Sequence, residues 1–302
     1  MKTGKLKIGR IPYANLFPIF HYLDTHCNNS EYTFIKGVPS KLNRMLRAGK
    51  LDISPSSSIE FLKNKNRYRI LPWHSISSTG QIKSILLFSR IPLNELGGKT
   101  IAVSSESDTS AAMLKIILKE FCSLECKFKK TDLRSVTNIL SSASAVLHIG
   151  DTAMHEAKKI ESRVRSQGGI DSCRESGRKK EKYISRLATK NAKLMPHTSE
   201  LYIYDLGELW YKYTGLPFVY ALWVVRKKAL DEKTDLIKRL SSDLINAKKY
   251  AEKKLSLIAR AAPQRKWISE KDLVNYWNII SYDFTDKHLE GLRLFEKYAL
   301  KK

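Results

Sequence analysis

Residues 201–230 read LYIYDLGELWYKYTGLPFVYALWVVRKKAL, and the order of patterns in this stretch decides the fold to expect. Asp205–Tyr213 has helical periodicity, Gly215 and Pro217 punctuate, and Val219–Arg226 is a long apolar run of strand type. A second apolar strand, Ser84–Ser89 (SILLFS), stands far upstream. The two bracket a middle segment that itself alternates strand and helix. That arrangement lets the chain leave a first lobe and later return to it, and two crossings make a hinged cleft. The expectation is an α/β protein of two lobes around a central cleft, with residues 1–90 plus 222–302 in the first lobe and residues 91–221 in the second.

Toward the N-terminus the same alternation continues. Lys5–Ile11 reads as a strand, Pro12 and Asn15 mark a turn, Leu16–Leu23 is apolar, and Tyr32–Val38 is the next strand. Ser40 is placed to cap a helix with Leu42, Met45 and Leu46 on one face, ending at Gly49. Leu51–Ser54 reads as a short strand running into a polar turn, Pro55–Ser58, and Pro92–Gly98 as the loop that crosses to the second lobe. Thr100–Val103 then leads through Ser104–Ser110 into a helix whose Leu114, Ile117, Leu118 and Phe121 repeat at helical spacing. Ala145–Ile149 is a buried-type strand closed by Gly150-Asp151, and the chain after Asp231 is helical in pieces, with Trp277 and Phe295 as core residues.

Between about 156 and 200 the composition becomes basic and poor in large apolar residues, as in SRVRSQGGIDSCRESGRKKEK, which reads as an exposed insertion. Lysine and arginine total 54 against 30 acidic residues, a formal charge of +24 that favours the arrival of an anionic substrate. The excess is spread along the chain with no zinc-finger or RNP-type motif, so nucleic acid is not expected as the primary partner. No run approaches the ~20 apolar residues of a membrane span, and the N-terminus lacks a signal-type apolar core, which points to the cytoplasm. Cys27, Cys122, Cys126 and Cys173 are scattered and expected as thiols; they complete no metal set.

The strand, polar loop and helix start around Ser104–Ser110 make a candidate anion site, because the free N–H groups of a first helical turn point into such a loop. Simple helix capping would use the same residues. Trp210, Phe218, Tyr220 and Trp223 can either wall a cleft or pack a core.

Several segments, taken together, resemble the chorismate dehydratase family. IGRIPYANLFP (8–18) looks like its first strand and turn, with Asn15 on the family's asparagine. VPSKLNRMLRAGKLDISPSSSIEFLKN (38–64), GQIKSILLFSRIPL (80–93), SSESDTSAAMLK (104–115) and HIGDTAM (148–154) are similar to successive family elements. YDLGELWYKYTGLPFVYALWVVRK (204–227) resembles the family's Asp-Leu-Gly-x-x-Trp and Thr-Gly-Leu-Pro-Phe-Val run almost unbroken. The resemblance covers about residues 5–155 and 201–300 and omits the basic stretch. It implies a periplasmic-binding-protein type II-like fold and a lyase that eliminates water from chorismate in the futalosine route to menaquinone, with no cofactor and no metal. The related dihydroxynaphthoate synthase has a Ser-Pro-Cys-Pro-Asn-Asp signature where IPYANLFP stands here, and His148 precedes Ile149-Gly150-Asp151 instead of following the isoleucine. A non-catalytic small-anion binder of the same fold is the alternative from another class.

By that resemblance Asn15 is the catalytic residue, hydrogen-bonding the departing hydroxyl or the developing charge. Ser56, Ser57, Ser84, Thr109 and Ser110 are the expected hydroxyl donors to the substrate carboxylates, with Gly150 and Phe218 also at the site. An amide cannot accept a proton at neutral pH. Asp151 and Asp205 read as turn or cap carboxylates, so the substrate's own enolpyruvyl carboxylate is the expected base.

Overall fold

Short apolar strands alternating with helices build two sheets among the described residues, which change sheet twice. The computed structural model describes residues 4–106, 108–166 and 201–301. In chain order the elements are β1 (Leu6–Arg10), α1 (Phe17–His26), β2 (Tyr32–Lys36), α2 (Pro39–Arg47), β3 (Ile53–Ser57), α3 (Ser58–Lys63), β4 (Tyr68–Ser78), β5 (Ile85–Ser89), β6 (Thr100–Ser104), α4 (Asp108–Ile116), β7 (Lys127–Thr131), α5 (Val136–Ile139), β8 (Ala145–Ile149), α6 (Gly150–Ser166), β9 (Tyr202–Asp205), α7 (Leu206–Thr214), β10 (Phe218–Arg226), α8 (Lys227–Glu232), α9 (Thr234–Ala261), α10 (Glu270–Trp277) and α11 (Asp286–Ala299).

One sheet has the order β2-β1-β3-β10-β4 and the other β7-β6-β8-β5-β9. β1 lies parallel to β2 and β3, and β10 returns antiparallel between β3 and β4. In the second sheet β6 is parallel to β7 and β8, while β5 runs antiparallel between β8 and β9. Both sheets are mixed, and each central strand is buried along its length, as strands covered by helices on both faces must be. Among the described residues no helix is long and apolar enough to cross a membrane.

Sheet membership moves the crossings. β5 pairs on both edges inside the second sheet, and β10 from Phe218 onward belongs wholly to the first. The chain therefore crosses at residues 79–84 and 215–217, not in Pro92–Gly98 and not at 90–91 and 221–222. An apolar run marks a buried strand without naming its partners, which are set by contacts distant in sequence. β3 also runs on through Pro55, Ser56 and Ser57, where a turn was expected. β1 pairs with β3 only at Ile53, so the missing N–H of Pro55 interrupts no bond to β1. Ser40 lies inside α2, whose N-cap is Val38 with Pro39 in the first helical position. The basic stretch does not open as an exposed insertion at 156: α6 continues to Ser166, and its Glu156 is buried, accepting from the Val136 N–H at 2.9 Å. The rest of that stretch, 167–200 with Cys173, lies outside the described residues.

An aromatic cluster fastens α7, β10 and α11 together beside the second crossing. Phe218 meets Trp210 and Phe295 edge-on with ring centroids 5.0 Å apart in each pair, and all three side chains are buried. Pro217 is seated on α11 at Gly291, where an added Cβ would lie 2.1 Å from the Pro217 carbonyl oxygen. Backbone cannot step aside as a flexible side chain can, so Gly291→Ala is expected to cost about 1–3 kcal/mol of stability, read from the urea midpoint. An unchanged midpoint would mean that the second crossing does not rest on α11.

Candidate active site

A cavity of about 70 Å³ lies between the two sheets, lined by residues from both lobes. Five of the residues expected at the site meet there: Asn15, Ser57, Ser84, Ser110 and Gly150. Tyr13 and Tyr220 complete its polar lining, and isoleucines 11, 76, 82, 85 and 149 supply apolar wall.

Each of the five is placed by a different element. Asn15 sits in a single 3-10 turn, Ala14–Leu16, between β1 and α1. The turn's backbone is held from several sides: Trp277 Nε1 donates to the Ala14 carbonyl at 2.8 Å, Tyr282 Oη to the Asn15 carbonyl at 2.6 Å, and the Ala14 N–H to Asp151 Oδ1 at 2.8 Å. With the backbone committed, the amide is left to the cavity, and Asn15 Oδ1 is buried without a hydrogen-bond partner. A buried, unpaired amide oxygen is costly unless something fills the space beside it. Ser57 closes β3 and its hydroxyl accepts from Asn43 Nδ2 at 3.0 Å. Ser84 ends the first crossing, its carbonyl accepting from the Gly150 N–H at 2.7 Å. Ser110 belongs to the first turn of α4, the helix start expected to face an anion.

Three expected site residues are elsewhere. Ser56 neighbours Ser57 on a strand, so its side chain takes the opposite face; its Oγ is buried and unpartnered away from the cavity. Thr109 Oγ1 accepts from the Ile59 N–H at 3.1 Å, tying α4 to α3 across the lobes instead of lining the cavity. Phe218 is core, enclosed by Trp210, Tyr220 and Phe295. Gly150 serves the site through space: it has φ +60°, and an added Cβ would lie 2.9 Å from the Tyr13 ring.

Tyr13 was not singled out in the sequence, although it stands inside IPYANLFP. Its ring covers Gly150 and its hydroxyl donates to Glu106 Oε2 of the opposite lobe. Burial, reinforced by that carboxylate, pushes the phenol well above the ordinary tyrosine range, so it stays protonated. Tyr220 shares a 2.9 Å hydrogen bond with Ser78 Oγ. Among the described residues the lining contains no charged side chain; carboxylates stand behind it. Asp151 accepts from the Ala14 N–H and from Gln264 Nε2 at 2.9 Å, and burial raises its pKa. Asp205 is the N-cap of α7, buried, and pushed up to about 6 by that burial. His148 lies on the strand face opposite Ile149, edge-on to Phe88, with burial lowering its pKa, and takes no part in the cavity. Among the described residues no group of three or more His, Cys, Asp or Glu side chains is placed to hold a metal.

Two sheets joined by two crossings over an enclosed cleft define a protein of the periplasmic-binding-protein architecture. A Candida albicans protein described as having that generic fold superposes with a TM-score of 0.58 at 12% identity, covering 98% of this chain and 90% of the other. Protein AF1704 of Archaeoglobus fulgidus superposes with a TM-score of 0.68 at 15% identity, covering 99% and 98%. The sequence narrows the class: the profile of the menaquinone biosynthesis family matches residues 6–168 and 185–301, and the chain belongs to that family. A chorismate dehydratase from Thermus thermophilus is 28% identical over 289 residues, spanning 95% of this chain and 93% of the relative. The family match breaks only between 168 and 185, so most of the basic stretch is shared with the family.

The Tyr13–Glu106 contact gives a direct test of lobe closure. Tyr13→Phe keeps the ring over Gly150 and removes the hydroxyl; a loss of about 1–2 kcal/mol in urea unfolding is expected, non-additive with Glu106→Gln. Fully additive effects would mean that the two side chains do not meet in solution.

Proposed function

We propose that this chain is a chorismate dehydratase, a cytoplasmic lyase that removes water from chorismate to give 3-[(1-carboxyvinyl)oxy]benzoate in the futalosine pathway of menaquinone biosynthesis. The observation that carries the reading is the meeting of Asn15, Ser57, Ser84 and Ser110, from four separate elements of two lobes, around one cavity with no charged side chain in its wall among the described residues. Membership of the menaquinone biosynthesis family and the similarity to a chorismate dehydratase support the same substrate.

The reaction needs little chemical equipment from the protein. A proton leaves the ring carbon bearing the ether, the electron pair of that C–H bond forms the new ring double bond, and the hydroxyl on the adjacent carbon departs. The ring becomes aromatic, so the product is strongly favoured without oxidant or reductant. The enzyme's task is to fix one orientation and exclude the competing pericyclic rearrangement. Serine hydroxyls and the N–H groups at the start of α4 hold carboxylates without adding a cation that would quench their basicity. The enolpyruvyl carboxylate is then free to take the ring proton, and the Asn15 amide stabilises the departing hydroxyl. A cavity of about 70 Å³ holds a few waters, not a substituted ring, so the lobes part to admit substrate.

Purified protein incubated with chorismate is expected to yield an aromatic enol ether, followed by chromatography and absorbance. Binding without conversion would favour a small-anion binder instead. Asn15→Ala should lower kcat by about 10²-fold or more with little change in melting temperature, since the turn is held through its backbone. Near-normal turnover would remove Asn15 from the mechanism.

A further inference from the structure

We infer that Asp205, which lies behind the cavity wall, is a positioning residue for the reaction: its carboxylate grips the backbone of the first crossing and so sets where Ser84 stands. The inference rests on the proposed function in one respect, that Ser84 meets the substrate.

A helix cap needs little from its side chain. Asp205 meets that need by accepting from the Gly207 N–H at 2.9 Å and the Glu208 N–H at 3.2 Å, at the start of α7. It accepts two more bonds from residues remote in sequence, the Ile82 N–H at 3.0 Å and the Lys83 N–H at 2.6 Å. Consecutive N–H groups converging on one anion form a nest. Here the nest forces Lys83 to φ +59°, a left-handed conformation that a residue with a side chain adopts only when its surroundings impose it. The next residue is Ser84, and Ile82, the first residue of the nest, also lines the cavity.

The other side of the crossing is fixed with equal closeness. A Cβ on Gly207 would lie 2.4 Å from the Gly80 carbonyl oxygen and 2.5 Å from Tyr220 Oη, so only glycine lets the crossing lie against α7 at that point. Ser78 Oγ completes the enclosure by donating to the Gly80 carbonyl at 3.1 Å. The Asp-Leu-Gly triplet at 205–207 thus has one physical meaning: the aspartate pulls the crossing in and the glycine makes room for it.

The ionised carboxylate is the form that accepts from all four donors. Protonation would turn one oxygen into a donor facing N–H groups. The titratable groups around it are Glu208 on α7, Tyr220 on β10 and Tyr276 on α10, and both tyrosines are raised by burial and stay neutral. Burial raises the Asp205 pKa to about 6 while the Lys83, Glu208 and Ile82 N–H bonds pull it down; with the carboxyl still buried, losing those bonds would raise it further, so protonation below about pH 6 loosens the grip.

Two measurements test the inference together. Hydrogen exchange of the peptide spanning residues 79–85 in the unaltered protein, corrected for intrinsic rates, is expected to speed up as pH falls from about 7.5 to about 5. The steady-state pH profile of kcat/KM for chorismate is expected to show an acid limb near pH 6, and Asp205→Asn to lower kcat/KM by about 10–100-fold and abolish the limb. In a Ser84→Ala background the same change should add less than about twofold. Exchange that does not vary with pH, or an Asp205→Asn protein that keeps both its rate and the limb, would overturn the positioning role. If the unaltered protein fails to turn over chorismate while the 79–85 exchange still follows pH, the grip stands and the reaction assigned to it falls.

Discussion

The site depends on one turn being held still. The backbone of Ala14 and Asn15 is bonded by Trp277, Tyr282 and Asp151, which come from the α10 region of one lobe and the start of α6 in the other. With the Ala14 N–H and both carbonyls bonded from outside the turn, the Asn15 amide oxygen is not drawn into the local bonding that usually consumes an asparagine in a turn. An amide oxygen without a partner in a buried space is the result, and it is the feature that most directly calls for a ligand.

Charge is distributed in a way that suits a doubly anionic substrate. Among the described residues no lysine or arginine is buried and the cavity wall is neutral, while the carboxylates Asp151 and Asp205 stand one layer back with their oxygens occupied by donors. Keeping Asp205 ionised is unfavourable to the fold. With a folded pKa of about 6 against an ordinary 3.8, its ionisation lowers stability by roughly 3 kcal/mol at neutral pH. Measured against the unfolded chain, in which the carboxyl is solvated, the folded state holds the proton more tightly, so this penalty is absent below about 3.8, accumulates from there to about 6 and is complete above. A carboxylate retained at that cost is consistent with its use in shaping the crossing.

Much of the architecture was legible in the chain, and the misreadings have physical causes. β8 was read to the residue, Ala145–Ile149, because a continuous apolar run with a glycine after it has few other solutions. β3 was read too short because its later residues are Pro and Ser; a strand whose side chains face a polar cleft gives up the apolar signal that identifies strands. Had that strand been seen, alternation would have separated Ser57, which lines the cavity, from Ser56, which does not. Tyr13 left no periodic mark, being one residue in an irregular turn, and its partner Glu106 is 93 residues away. The second role of Asp205 is hidden likewise, since helix capping accounts for the residue in the sequence and the other N–H groups that reach it lie 122 and 123 positions away. Thr109 and Phe218 show the converse: a hydroxyl at a helix start and an aromatic beside a crossing carry the right signatures, yet are taken up by interlobe bonding and core packing.

The most direct test is a crystal structure of the Asn15→Ala protein soaked with chorismate, a variant that should bind substrate and turn it over too slowly to consume it. The account predicts the ring enclosed between the lobes, its carboxylates on the Ser57, Ser84 and Ser110 hydroxyls and the α4 start, and its enolpyruvyl carboxylate against the ring proton. Chorismate bound outside that enclosure, or a cationic side chain closing onto its carboxylates, would contradict it.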